Sequence, residues 1–197
     1  MNDKGLLFIP DISGFTDFVS TMEISHSRHI IQELLELIID SNELSLEVSE
    51  VEGDAVLFYK FGELPELSLI YDQVTRMFQS FHSHLTIYEQ NRTCHCLACI
   101  SAINLSLKVI THYGEFTMFQ VKHFNQLFGK DVIVAHQLLK NDIDHSEYWL
   151  ITNGMHKGYP SATFANPVQW HNGAKQTDRG EIPFLYTKLH QVAKIVS

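Results

Sequence analysis

Basic residues are scarce: 14 Lys and Arg stand against 23 Asp and Glu, a formal net charge of −9. A chain that grips nucleic acid or an anionic membrane surface neutralises phosphates with a basic face. The balance argues against both partners, but not against a nucleotide whose charge is carried by bound metal. Cysteine is scarcer still, three residues, all between Cys94 and Cys99, which excludes the dispersed disulfide framework of a small secreted domain. No apolar run reaches membrane-spanning length. The apolar stretch in MNDKGLLFIP is too short for a signal peptide, and the expectation is a cytoplasmic protein. Internal repeats and low-complexity segments are also missing. What remains is an ordinary globular composition, 45% hydrophobic and 19% charged over 197 residues, enough for one domain with a sizeable core.

The stretch from Leu6 to Phe18 organises the rest. Leu6 to Ile9 form an apolar run that reads as a buried strand over Gly5 to Pro10, with Asp11 at its tip and a tight turn at Ser13-Gly14. A carboxylate at a strand tip beside open backbone N–H groups suits a metal ion carrying phosphates; it equally suits a cap on the next helix. That helix is predicted over His26 to Ser41, with Ser25 or Ser27 as N-cap, from Ile30, Ile31, Leu34, Leu35, Leu37 and Ile38. Alternation from Glu43 to Ser49 predicts a half-exposed strand, Val51 to Asp54 a hairpin turn with Gly53 at its bend, and Ala55 to Tyr59 a central strand. A long amphipathic helix follows over Pro65 to Tyr88, then a break over Asn91 to Cys99. The remaining expectations are strands from Leu105 to Glu115 and Phe116 to Lys122 joined by a hairpin about Gly114, a helix over Asp131 to Leu139 and a strand over Tyr148 to Thr152. An irregular excursion over 154–181 precedes a last strand over 182–189.

The order is β-α-β-β-α-β followed by β-α-β-β, an α+β fold with a ferredoxin-like palm. The chain reads as a single domain over 1–197 with its core over 5–152. In the palm the third strand lies between the first and second and runs antiparallel to both. That brings Asp11, at the end of strand one, beside Asp54, at the start of strand three. For Asp54 the competing reading is a hairpin aspartate that bonds its own turn.

Together these residues resemble the class III nucleotidyl cyclases, the adenylate and guanylate cyclase catalytic domain, in a divergent bacterial branch. FIPDISGFTDF looks like the family's first metal motif, VEGDAVLFY like its Gly-Asp hairpin, LKVITHYGE like its following strand and turn, and LFGKDVIVAHQLL like its last motif helix. The matches keep the family's order over about Gly5 to Leu139. The resemblance implies that Asp11 and Asp54, with the Ile12 carbonyl, bind two divalent ions, Mg²⁺ or Mn²⁺. It implies that the N–H groups around Ser13, Gly14, Phe15 and Thr16 face the phosphates of a nucleoside triphosphate, and that the chain forms a head-to-tail homodimer with the site at the interface. Carboxylates are suitable ligands for such hard ions. Four positions depart from the pattern. Glu50 stands where the family has its purine-reading lysine, and Gln126 where it has a purine-reading Asp or Thr. Ile133 replaces the ribose-orienting Asn, and Gln137 the Arg that stabilises charge on the α-phosphate. A neutral amide cannot replace a guanidinium there; Lys130 and Lys140 are the cations available in another register.

Cys94-His95-Cys96-Leu97-Ala98-Cys99 places three soft ligands in six residues, a set that suits tetrahedral Zn²⁺. Cys94, Cys96 and Cys99 would take their fourth partner from His95, His82, His84 or His112. The plainer reading is three thiols in a loop, partly buried as small apolar groups. Three functions follow. One is a catalytically degenerate module that binds metal-nucleotide and signals through its dimer. Another is an active, divergent metal-dependent nucleotide cyclase, and the third a zinc-stabilised interaction domain without nucleotide. The missing catalytic groups favour the first.

Overall fold

The computed structural model describes residues 3–21, 23–164 and 168–193. Along the chain it runs β1 (Asp3–Ser13), α1 (Phe15–Thr21), α2 (Ile24–Asp40), β2 (Glu47–Glu52), β3 (Ala55–Phe61), α3 (Leu67–Asn91), α4 (Leu97–Ser101), β4 (Ser106–Val121), β5 (Phe124–Phe128), α5 (Lys130–Gln137), β6 (Tyr148–Thr152), α6 (Asn153–His156), β7 (His171–Thr177), β8 (Gly180–Lys188) and α7 (Leu189–Ala193). The strands form one sheet in the order β2-β3-β1-β4-β6-β8-β7, with β5 paired to the outer half of β4. β3 lies between β1 and β2 and is antiparallel to both, as the palm topology requires. β4 and β6 are parallel. Among the described residues no helix is long and apolar enough to cross a membrane.

Strand side chains alternate between faces, and the two faces of β1 have different covers. Leu6, Phe8 and Ile12 pack with Val56 and Phe58 under α2, α3, α4 and α7. Leu7 and Ile9 pack with Leu57, Ile110 and the Val132, Ala135 and Leu138 side of α5. β3 is buried from Ala55 to Tyr59, which is why its sequence is continuously apolar. α2 buries Ile30, Ile31, Leu34 and Ile38, and α3 buries Ile70, Val74, Met77, Phe81 and Leu85. Both stripes have the three-four spacing that forms them.

Several expectations are corrected. α2 begins earlier, at Ile24, and neither Ser25 nor Ser27 caps it; Ser27 Oγ donates to the Glu23 and Ile24 carbonyls from inside the first turn. β2 starts at Glu47 rather than Glu43. Ser45 has φ +53°, and buried Gln73 holds the preceding loop, donating to Ser41 O and accepting from the Glu43 and Leu44 N–H groups. The break after α3 contains α4. Gly114 makes no hairpin: β4 passes through it unbroken, and the reversal falls at Lys122, φ +55°. Gly114 is required for packing, since a Cβ there would lie 2.5 Å from Asp131 Cγ. The stretch 154–181 is not wholly irregular. It holds α6, a 3-10 turn at Ser161–Phe164 and β7; residues 165–167 of it lie outside the described residues. Its middle is fixed by Trp170, whose ring meets Trp149 and Phe164 edge-on at 5.3 and 5.5 Å.

Candidate functional site

Asp11 shares the α5-covered face of β1 with Leu7 and Ile9, so the strand that makes the core also carries a carboxylate into it. It is 6% exposed. Its register neighbours are Ala55 on β3 and Lys108 on β4. Asp54 immediately precedes Ala55 in the β2–β3 turn, and its carbonyl accepts the Ile12 N–H at 3.0 Å. That bond ties the two aspartate-bearing segments together. Lys108 Nζ lies 3.4 Å from Asp11 Oδ2 and donates to Leu139 O at 3.3 Å. Asp11 Oδ1 is buried and has no hydrogen-bond partner among the described residues.

This environment penalises the charged carboxyl. Burial pushes the Asp11 pKa up to about 6; Lys108 pulls it down and the neighbouring Asp54 charge pushes it up. Asp54 is also raised, chiefly by burial. Two carboxylates facing one ammonium leave a net negative corner of hard oxygen donors with one buried lone-pair oxygen unmatched. A divalent cation fits that donor set, and its charge would reverse the direction of both shifts.

The flanking positions divide. Ser13 remains in the sheet, paired with Ser106, and its Oγ donates to Ser146 O. Gly14 turns with φ +88°. The first backbone bond of α1 runs from Phe18 N–H to Gly14 O, so the N–H groups of Phe15 and Thr16 precede the helical ladder. Glu50 and Glu52 each lie 3.7 Å from a ring nitrogen of His136 on α5, so two acidic side chains of β2 face one imidazole. Gln126 is exposed on β5, Ile133 exposed on α5, and Gln137 half-buried at the end of that helix.

The cysteines come together elsewhere, on the opposite side of the sheet. His26, Cys94, Cys96 and Cys99 place four ligand atoms within 4.8 Å of one another, a group able to hold a metal ion. His26 Nδ1 is 3.1, 3.5 and 3.6 Å from the Cys96, Cys94 and Cys99 sulfurs. The fourth member is therefore His26, from the first turn of α2, and not His95, which is exposed and outside the group. His82 pairs with Glu147, His84 with Glu33 at 3.6 Å, and His112 with Asp131 at 3.2 Å and Thr152 Oγ1 at 2.7 Å. Lys108 and His26 are the two residues that sequence reasoning passed over. Lys108 was discoverable from antiparallel register opposite Asp11, whereas nothing near His26 in the sequence marks it.

The sheet order, its covering helices and the paired aspartates define the class III cyclase catalytic-domain fold. A bacterial light-regulated adenylyl cyclase matches over 100% of this chain and 57% of its own, with TM-score 0.66 and 16% identity. The catalytic core of a rhodopsin-guanylyl cyclase with converted specificity, solved with ATPαS, matches over 95% and 96% with TM-score 0.64 and 13% identity. The adenylyl cyclase CyaB from P. aeruginosa matches over 95% of each chain with TM-score 0.58 and 13% identity. Identities this low establish the fold alone. By sequence, the chain belongs to the family described as "Protein of unknown function (DUF2652)", whose model matches residues 31–148. It is similar to the Uncharacterized protein Rv2561/Rv2562 of Mycobacterium tuberculosis, 34% identical over 121 residues; the match covers 61% of this chain and 56% of that relative. The family segment contains Asp54 and the cysteines, while Asp11 and His26 precede it.

Proposed function

We propose that this protein is a catalytically degenerate cyclase-fold module that binds a nucleoside triphosphate with Mg²⁺ or Mn²⁺ and signals through a homodimer. The observation that carries the reading is Asp11: a buried carboxylate inside β1, with one oxygen unpartnered among the described residues, placed beside the Asp54 turn. Burying such a group without a partner is costly, and a cation in the Asp11–Asp54 corner offsets that cost. Asp11 and Asp54 would hold the ion with the Ile12 carbonyl, and the Ser13 to Thr16 turn would receive the phosphates. When bound, the ion supplies charge neutralisation at the triphosphate. Lys108 keeps Asp11 oriented and balances one of the two carboxylate charges.

The positions that the resemblance assigns to promoting cyclisation carry other residues. Ile133 cannot hydrogen-bond a ribose, and Gln137 brings no charge to a phosphorane-like transition state. Loss of such a cation typically costs about a thousandfold or more in rate. Dimer formation is supported by the β4–β5 arm, which leaves Phe119, Phe124 and Phe128 exposed at 45%, 59% and 66%. Calorimetry on the full chain with ATP and with GTP, each with and without Mn²⁺, tests the reading, together with chromatography for cyclic product. The expected result is binding that requires the metal, is lost in Asp54→Ala and yields no cyclic nucleotide. Absence of nucleotide binding overturns the proposal, and cyclic product would replace it with a divergent active cyclase.

A further inference from the structure

The Cys/His corner shares no residue with the nucleotide reading. We propose that His26, Cys94, Cys96 and Cys99 form a closed structural Zn²⁺ site that fastens the first turn of α2 to the connection between α3 and α4. Geometry carries this. A tetrahedral zinc with ordinary bond lengths sets its nitrogen ligand about 3.6 Å from each sulfur. Of the separations of His26 Nδ1 from the sulfurs, 3.5 and 3.6 Å match that closely and 3.1 Å, to Cys96, is half an ångström short. All four donor atoms lie within 4.8 Å of one another, which leaves room for a single ion and not for a sulfide-bridged cluster. Three thiolates and an imidazole make a soft donor set that selects zinc over Mg²⁺ or Mn²⁺. With four protein ligands no coordination position is left for substrate, so the role is structural.

The surroundings are those of thiolate ligands. Tyr88 Oη donates to Cys99 Sγ at 3.1 Å, and the Cys96 N–H donates to Cys94 Sγ at 3.4 Å. The Arg92 guanidinium donates to Cys94 O at 3.1 Å and is itself held by Glu89. These groups orient the cysteine turn and place a cation beside the excess negative charge of three thiolates. The load on the site is equally specific. α2 has no side-chain N-cap, and His26 reaches cysteines between 68 and 73 residues further on. An ion here closes that long loop and anchors a helix start that has no capping side chain.

Purification under reducing conditions without added metal, followed by elemental analysis, reads the site directly. The expected result is about one zinc per chain, released by a thiol-blocking mercurial, and on Co²⁺ replacement the visible spectrum of a tetrahedral thiolate site. His26→Ala should reduce zinc to below about one-tenth per chain, His26→Cys should restore stoichiometric zinc, and His95→Ala should leave it unchanged. The rescue by His26→Cys separates loss of a ligand from loss of folding. Wild-type protein that takes up no zinc even after reconstitution, iron or copper in its place, or loss of zinc in His95→Ala but not in His26→Ala would each overturn the assignment.

Discussion

The two polar corners of the molecule lie on opposite sides of one sheet and are built on opposite terms. The Asp11–Asp54 corner is hard, incomplete and only partly relieved by Lys108: its buried oxygen Oδ1 has no partner among the described residues and burial pushes its pKa up to about 6. The Cys/His corner is soft and complete: four ligands from one chain, with Tyr88 and a backbone N–H already bonded to sulfur. Incompleteness suits a site that takes a ligand and releases it. Completeness suits a permanent staple. On the proposed reading one fold would separate the metal chemistry of recognition from that of stability, and each corner could be perturbed by substitutions that leave the other's residues in place.

Removing the staple should have the largest effect. Stripping wild-type protein with a strong chelator under reducing conditions should lower stability by about 3–5 kcal/mol, or about 10 °C in Tm for a domain of this size. Denaturation followed by circular dichroism measures it, and zinc alone, not Mg²⁺, should restore it. An unchanged Tm would merge the two corners into one indifferent surface.

Next comes Asp11. Its folded-state pKa is raised above the unfolded value of 3.8, so its contribution to stability is full below that value and is lost as pH rises through about 6. Asp11→Asn removes that loss. In the absence of divalent ions the variant should be about 2–3 kcal/mol more stable than wild type at pH 7.5. Near pH 4 the two should be equal. Urea titrations across that range check both ends, and a destabilised variant at neutral pH would show that Lys108 already satisfies the carboxylate.

A smaller shift should follow from Mn²⁺ itself. At about ten times Kd it should stabilise the wild type by about 1.4 kcal/mol, a few degrees in Tm, with little effect on Asp11→Asn. The smallest effect on stability should come from the arm. Phe124→Ser removes a 59% exposed ring and should change folding stability by about 0.5 kcal/mol or less, while sedimentation shows a weakened dimer.

Much of this was legible in the sequence, for identifiable reasons. β1, β3 and β6 are continuous apolar runs because both faces of the sheet are covered there. α2 and α3 have unambiguous stripes. The meeting of Asp11 and Asp54 followed from topology alone, because antiparallel pairing of β1 with β3 sets Asp11 against Ala55. What failed to show was of three kinds. Gly114 suggested a turn, but the glycine is there for Asp131, so composition pointed to the wrong cause. β7, read HNGAKQT, lies at the sheet's edge and alternates half-buried with exposed polar residues, leaving no apolar rhythm to detect. His26 is remote in sequence from its sulfurs, and only the packing of α2 against α4 brings it to them. The cysteine motif marked a cluster of soft side chains, but the histidine that joins it in space is His26 and not the adjacent His95.

The most direct measurement is a crystal structure of the full chain grown with Mn²⁺ and a non-cyclisable nucleoside triphosphate, with anomalous data at the zinc and manganese edges. The account predicts manganese between Asp11 and Asp54, with phosphate oxygens completing its shell. It predicts zinc about 2.3 Å from the three sulfurs and bonded to His26. Nucleotide bound with no manganese at Asp11, or manganese seated among the cysteines, would contradict it.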